Sequence, residues 1–175
     1  AMGQLRPQSA SSRVLPIKKP KRSPELGFTL PELLISVVIV GLLSAIALPN
    51  YMNSIKATRQ KDVANQLANI QTSIEAYREE FLANPTSWDG LARITPVSTN
   101  NGSAKGNSFS PITSPNGGYY TITISSSGNL LSLSGTPVSN GSAKWDIKAC
   151  LNTQTGLSDT KLGNGTTAAA TPVCT

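Results

Sequence analysis

The stretch Phe28–Leu48, FTLPELLISVVIVGLLSAIAL, constrains the rest of the chain more than any other. Its 21 residues include no Lys, Arg or Asp and a single carboxylate, Glu32. As a helix rising ~1.5 Å per residue it spans ~30 Å, the thickness of a bilayer's hydrocarbon core. The basic stretch RVLPIKKPKRSPELG precedes it. An oily helix entered from a cationic side inserts with that side in the cytoplasm. A signal anchor fits these facts. A removable secretory signal fits them less well, because its apolar run is usually ~7–15 residues and Ala47-Leu48-Pro49 is a poor A-x-A site.

Glu32 is the anomaly. An ionised carboxylate deep in lipid costs ~2.5–3.5 kcal/mol on insertion scales, so it needs an interface or a cationic partner. A cut between Gly27 and Phe28 supplies one. The new α-amino group, largely protonated near neutrality, stands four residues before Glu32. Residues i and i+4 share a helix face, so the pair can form within one chain or between staggered neighbours.

Gly27-Phe28-Thr29-Leu30-x-Glu32, followed by an apolar run with Gly41 and Pro49, resembles the N-terminus of type IV pilins and their pseudopilin relatives. The resemblance covers about 25 residues. It implies a membrane prepilin peptidase that cuts after Gly27 and methylates Phe28. It also implies that Glu32 docks each subunit onto its neighbour's N-terminus in a filament. Pro31 departs from the aliphatic residue more common in that family. Proline is tolerated in a first helical turn, where its missing N–H has no partner anyway. The fold implied is α+β and lollipop-shaped: a long N-terminal helix on a small antiparallel sheet, with a disulfide-closed C-terminal loop.

The net charge of +6 is misleading. The leader, 1–27, holds Arg6, Arg13, Lys18, Lys19, Lys21 and Arg22 against Glu25. Beyond it remain nine of the 15 basic and eight of the nine acidic side chains, a balance that gives no general argument for nucleic-acid binding. The run Lys18–Arg22 reads as an orientation signal rather than a nucleic-acid patch, because it abuts the apolar segment. There is no His, and two Cys cannot make a structural zinc site, so no metal ligand set is expected. Cys150 and Cys174 fall in a part of the chain expected to be translocated, where disulfides form and persist. The alternative is two free thiols. The family resemblance agrees with a bridge, since many type IV pilins close a C-terminal loop this way, whereas secretion pseudopilins more often lack it.

Four segments are expected: the leader 1–27, a membrane and assembly helix 28–50, an amphipathic continuation 51–84, and a soluble domain 85–175. Within the first helix Ser36, Gly41, Ser44, Ala45 and Ala47 are small, which lets helices approach closely in lipid. Pro49 removes one backbone hydrogen bond, so a kink or loosening is expected between Gly41 and Pro49. Val63, Leu67, Ile70, Ile74, Tyr77 and Phe81 then recur at helical spacing and form one apolar stripe. Lys61, Asn65, Gln66, Asn69, Gln71, Glu75 and Glu79 read as its polar opposite. Asn84-Pro85 ends the pattern. Trp88, Leu91 and Ile94 pin the next stretch to the core, and Asn100–Ser110 reads as exposed loop. Tyr120, Ile122 and Ile124 alternate with polar residues in a strand. Leu130–Ser134 and Lys144–Leu151 follow, which makes a three-stranded antiparallel meander. Cys150 faces away from the core side and can staple the tail Asn152–Thr175.

Catalytic constellations are missing: His is absent, and there is no G-x-S-x-G, P-loop or G-x-G-x-x-G. Asp159 with Asn164 is too poor in carboxylates for a hard cation that takes 6–8 oxygens. Asn101, Asn140 and Asn164 head glycosylation-type triplets, common by chance in so Asn-, Gly- and Ser-rich a sequence. Tyr119, Tyr120, Lys144 and Lys148 read as core and edge rather than a DNA surface. A structural subunit is therefore expected, not an enzyme, and no cofactor. By resemblance it starts in a bacterial inner membrane and ends in a surface filament of its own kind, for adhesion, motility or DNA uptake. Its partners are then other copies, the peptidase, the assembly machinery of the inner membrane and, before assembly, lipid. A pseudopilin of type II secretion, or a minor pilin that primes assembly or binds DNA, is the alternative.

Overall fold

A computed structural model describes residues 27–175. The expectations for the leader and its basic run fall on residues 1–26, outside the described residues. The first helix, α1, is Leu30–Phe81. It is unbroken across Gly41 and Pro49. By internal contacts the chain divides into two units, one ending at Leu42 and the other running Leu43–Thr175. Each is described separately.

In the first unit every described residue is exposed. In the second, the C-terminal part of α1 lies on a sheet. Val63, Leu67, Ile70 and Ile74 are buried there and Tyr77 packs partly against the same core. The apolar stripe thus follows the expected spacing up to Tyr77. Phe81 departs from it: its ring stays substantially exposed and stacks on Tyr77 at 4.5 Å between centroids. The helix stops at Phe81 rather than reaching Asn84. Leu82 takes a left-handed φ of 52°, its N–H donating to the Arg78 carbonyl at 2.8 Å. A left-handed residue cannot continue the right-handed ladder.

A short helix, α2 (Trp88–Leu91), is capped by Ser87, whose hydroxyl accepts from Gly90 N–H at 3.0 Å. Trp88 and Leu91 are fully buried, while Ile94 is only half-buried and Val97 takes the core position instead. The Trp88 indole N–H donates to the Ser110 carbonyl at 2.8 Å, and Phe109 meets the ring edge-on at 5.0 Å. Two minimal strands, β1 (Ser98–Thr99) and β2 (Gly102–Ser103), form a hairpin where loop was expected.

The main sheet has five strands rather than three: β3 (Ile112–Thr113), β4 (Tyr120–Ser127), β5 (Leu130–Pro137), β6 (Ile147–Asn152) and β7 (Ser158–Leu162). They pair antiparallel in sequence order, a meander extended by one short strand at each edge. Ile124, Leu133 and Ala149 lie on one core-facing row, set by the pairs Ile124↔Leu133 and Leu133↔Ala149. The expected strand Lys144–Leu151 begins later. Asn140–Trp145 is a 3-10 turn, held at its end by the Tyr120 hydroxyl, which donates to the Trp145 carbonyl at 2.9 Å. Gly135 in β5 lets α1 come close: a Cβ there would stand 3.0 Å from Val63 Cγ1.

Two polar anchors were assigned to the wrong side or not seen at all. Gln71, read from spacing as solvent-facing, is buried and its amide donates to the Cys150 carbonyl at 2.9 Å. Gln60 is buried too, donating to the carbonyls of Asp146 at 3.1 Å and Gly163 at 2.7 Å. Eleven residues separate them, about three turns, so both fall on one flank of the helix. They fasten α1 to backbone around β6 and β7. Helical wheels score Gln as polar, and so miss a Gln whose amide satisfies buried carbonyls.

The tail is stapled as expected. Cys150 and Cys174 form a disulfide with Cα atoms 6.0 Å apart, and both are buried. Asn152 donates to the Cys174 carbonyl at 3.1 Å. The Val173 N–H donates to Asp159 at 2.8 Å, and Lys161 approaches the same carboxylate at 3.3 Å. The Val173 N–H foremost, with Lys161 assisting, holds the Asp159 carboxyl below its usual range.

Candidate functional site

The candidate site lies at the start of α1. Thr29 precedes the first helical residue, Leu30, which makes Pro31 the second and Glu32 the third. Pro31 therefore sits where a missing N–H costs nothing. Thr29 and Glu32 form a reciprocal cap. The Glu32 N–H donates to Thr29 Oγ1 at 3.4 Å. Glu32 Oε2 accepts from the Thr29 N–H at 3.4 Å and from its hydroxyl at 3.3 Å. This is the capping box, T-x-x-E, which satisfies two backbone donors left open by the helix end. Its spacing is legible in the sequence, and reading Glu32 only as the partner of an α-amino group overlooked it. The cap turns the carboxylate back toward the helix N-terminus, where the backbone dipole also favours a negative charge. Ser36 Oγ donates to the Glu32 carbonyl at 2.8 Å and keeps its own polarity inside the helix.

Around this one acid the surface is apolar. Phe28, Leu30, Leu33, Leu34, Ile35, Val37, Val38, Ile39, Val40, Leu42, Leu43, Ile46 and Leu48 all stand open, Phe28 at 78%. A contiguous patch of this extent on a soluble surface marks contact with a partner or a membrane. By length and composition α1 is also able to cross a bilayer. Gly41 faces open space, a gap in the side-chain cover that another helix could approach. Pro49, inside α1, has no N–H to offer the preceding turn. Gly27 and Phe28 lie before the helix and are exposed.

The other candidates are placed differently. Asp159 is committed to Val173 and Lys161, and Asn164 Oδ1 closes a turn on the N–H groups of Thr166 and Thr167. Among the described residues no group of three or more His, Cys, Asp or Glu is set to hold a metal. Tyr120 is buried. Desolvation, with the nearby Asp146 carboxylate, raises its hydroxyl to about 12 against a smaller opposing effect of Arg59. Tyr119 is half-exposed beneath the Arg59 guanidinium, 3.5 Å from the ring centroid.

Comparison with known proteins finds a family match at this end of the chain. Residues 22–48 match the prokaryotic N-terminal methylation motif. The type II secretion system core protein G of Klebsiella michiganensis is 36% identical over 75 residues, 42% of this chain and 52% of that protein. Its counterpart in Vibrio cholerae is 33% identical over 81 residues, 46% of this chain and 55% of the relative. The type IV major fimbrial protein FimA of Dichelobacter nodosus is 43% identical over 54 residues, 31% of this chain and 35% of the relative. The chain thus spans about half the length of the first of these relatives and about a third of the fimbrial one. No solved structure matches it significantly. With its methylation motif, its helix on an antiparallel sheet and its disulfide-closed tail, this chain fits the family of type IV pilins and type II secretion pseudopilins.

Proposed function

We propose that the chain is the precursor of a filament subunit, cut between Gly27 and Phe28, N-methylated at Phe28, and polymerised through α1. The observation that carries this is the pairing of an exposed apolar helix with one carboxylate at its very start. Before assembly the helix is solvated by lipid, in a bacterial inner membrane with the leader in the cytoplasm. After assembly it is solvated by copies of itself. Both surroundings are apolar, so the exchange gains little from hydrophobic burial. Specificity then rests on the polar groups, and Glu32 pairs with the methylated α-amino group of Phe28 of a neighbouring copy. The role is structural, served by a prepilin peptidase and an inner-membrane assembly machinery.

The disulfide favours a type IV pilus subunit on the cell surface. A secretion pseudopilin is favoured instead by the several relatives named core protein G. Sheared extracellular fibres that contain the chain support the first reading; confinement to the periplasm supports the second.

The capping box supplies a clean test of Glu32. Glu32→Ala removes the charge and the carboxylate's half of the cap. Glu32→Gln keeps the cap, because Gln also closes a capping box, and removes only the charge. Both variants are expected to insert into membrane and to be left out of filaments. Filaments formed by Glu32→Gln at the native level would refute the charge pairing.

A further inference from the structure

Past the exposed apolar surface, α1 carries two cations that the filament reading does not use. Lys56 and Arg59 line a cavity of about 280 Å³ with Tyr119, Val138, Ser139 and Ser142. Lys56 donates one of its three N–H bonds to the Gly141 carbonyl at 3.2 Å, which anchors it at the rim. Arg59 stands over the Tyr119 ring with its guanidinium carbon 3.5 Å from the centroid, a cation–π contact that holds it beside the cavity. Among the described residues the one ion pair is Lys161–Asp159, so neither cation is paired with a carboxylate. Asp62 shares a separate small cavity with Arg59 without forming such a pair. Two fixed, unneutralised cations beside two serine hydroxyls suit a tetrahedral oxyanion.

Position along the helix says where that anion comes from. Leu43, Ile46, Leu48, Tyr51 and Met52 are exposed up to the turn before Lys56. Lys56 is four residues past Met52 and Arg59 seven, or ~6 and ~10 Å along the axis. A bilayer's polar layer adds roughly 5–8 Å beyond each face of its hydrocarbon core. With residues 32–52, about 30 Å of helix, in the hydrocarbon, Lys56 falls within the polar layer and Arg59 at its outer edge, and exposed Val138 adds an apolar group to the cavity rim.

We propose that the Lys56–Arg59 cavity binds the phosphodiester of an anionic phospholipid headgroup while the subunit is held in the membrane. This rests on the membrane-stored subunit proposed above. The bound lipid fixes the depth and rotation of the helix, and it must be released when the subunit leaves the bilayer.

The test uses the full chain in nanodiscs of phosphatidylglycerol, in nanodiscs of a phosphate-free glycolipid, and in the glycolipid discs with inorganic phosphate added. Flotation first reports insertion; native mass spectrometry then counts retained lipid, and NMR follows the Arg59 side-chain N–H. Expected are an Arg59 shift and one retained phosphatidylglycerol, neither reproduced by the glycolipid or by free phosphate at matched concentration. Lys56→Gln and Arg59→Gln should each weaken retention about fivefold, since each juxtamembrane cation contributes on this scale, and Arg59→Lys should restore only part of it, because it keeps the charge and loses the stacked guanidinium. Insertion without any Arg59 response to phosphatidylglycerol overturns this inference alone. An equal response to free phosphate shows a general anion site and also overturns it. Failure to insert overturns both it and the membrane-stored subunit.

Discussion

Gln60→Ala should be among the most damaging polar substitutions in the chain. The Gln60 amide is 5% exposed and donates to two carbonyls, at 2.7 Å to Gly163 and 3.1 Å to Asp146. The Asp146 carbonyl also accepts from the Gly163 N–H at 2.9 Å and so keeps a partner when Gln60 is lost. The Gly163 carbonyl is left with none among its hydrogen bonds here. Losing two bonds costs about 1 kcal/mol each, and an unsatisfied buried carbonyl costs a further ~1–3 kcal/mol, so at least ~3 kcal/mol is expected. For a domain of this size that lowers Tm by about 10 °C. Near-UV circular dichroism of the full chain in detergent follows the transition, because Trp145 and Tyr120 lie beside this contact. Asn65→Ala, on the exposed side of the same helix, is the control and should move Tm little. The Gln60→Glu variant sharpens the reasoning. A carboxylate facing two carbonyl oxygens has its pKa raised in the folded state. Its stability deficit should therefore be smallest at low pH, where the protonated carboxyl can donate, and grow as pH rises. A loss below about 1 kcal/mol for Gln60→Ala would mean that water serves the Gly163 carbonyl, and the anchor argument would be wrong.

Three further outcomes follow from the same contacts. Cys174→Ser opens a loop of 24 residues between the bridged positions and should destabilise by about 3.5 kcal/mol in the chain-entropy model, read as a lower denaturant midpoint and rapid proteolysis after Asn152. The Asp159 carboxyl has a lowered folded pKa, so its contribution is present above the unfolded pKa and fades as pH falls through the folded value. The protection of the Val173 N–H against hydrogen exchange, relative to its intrinsic rate at each pH, should fall on acidification, and Asp159→Asn should remove that dependence. At the alkaline end Tyr120 acts with the opposite sign. With its folded pKa at about 12, stability is complete below ~10 and is lost between ~10 and 12, a slope that Tyr120→Phe should flatten in pH-dependent unfolding.

The parts of this fold written in hydrophobic periodicity were legible from sequence. The stripe Val63–Ile74 and the alternation Tyr120–Ile124 each place side chains on a face fixed by helix or strand geometry. The edge strands were not, for a physical reason. Ser158–Leu162 is exposed along nearly its whole length, so no apolar alternation marks it, and it is a strand because β6 offers it a ladder. The buried glutamines were missed because hydrogen bonding to distant backbone leaves no periodic trace. At the candidate site the motif residues Gly27, Phe28 and Glu32 stood out at once. The Thr29–Glu32 cap has a local signature that was equally available. The Lys56–Arg59 cavity had none, since its other wall comes from residues about 60 to 85 positions away.

The reading of α1 as a matured, shared helix is tested most directly by mass spectrometry of the N-terminus of the native chain recovered from cells. The native chain is predicted to begin at Phe28, to carry one added methyl group on that residue and to keep the Cys150–Cys174 bridge. A native chain that retains residues before Phe28, or that begins at Phe28 without the methyl group, would contradict it.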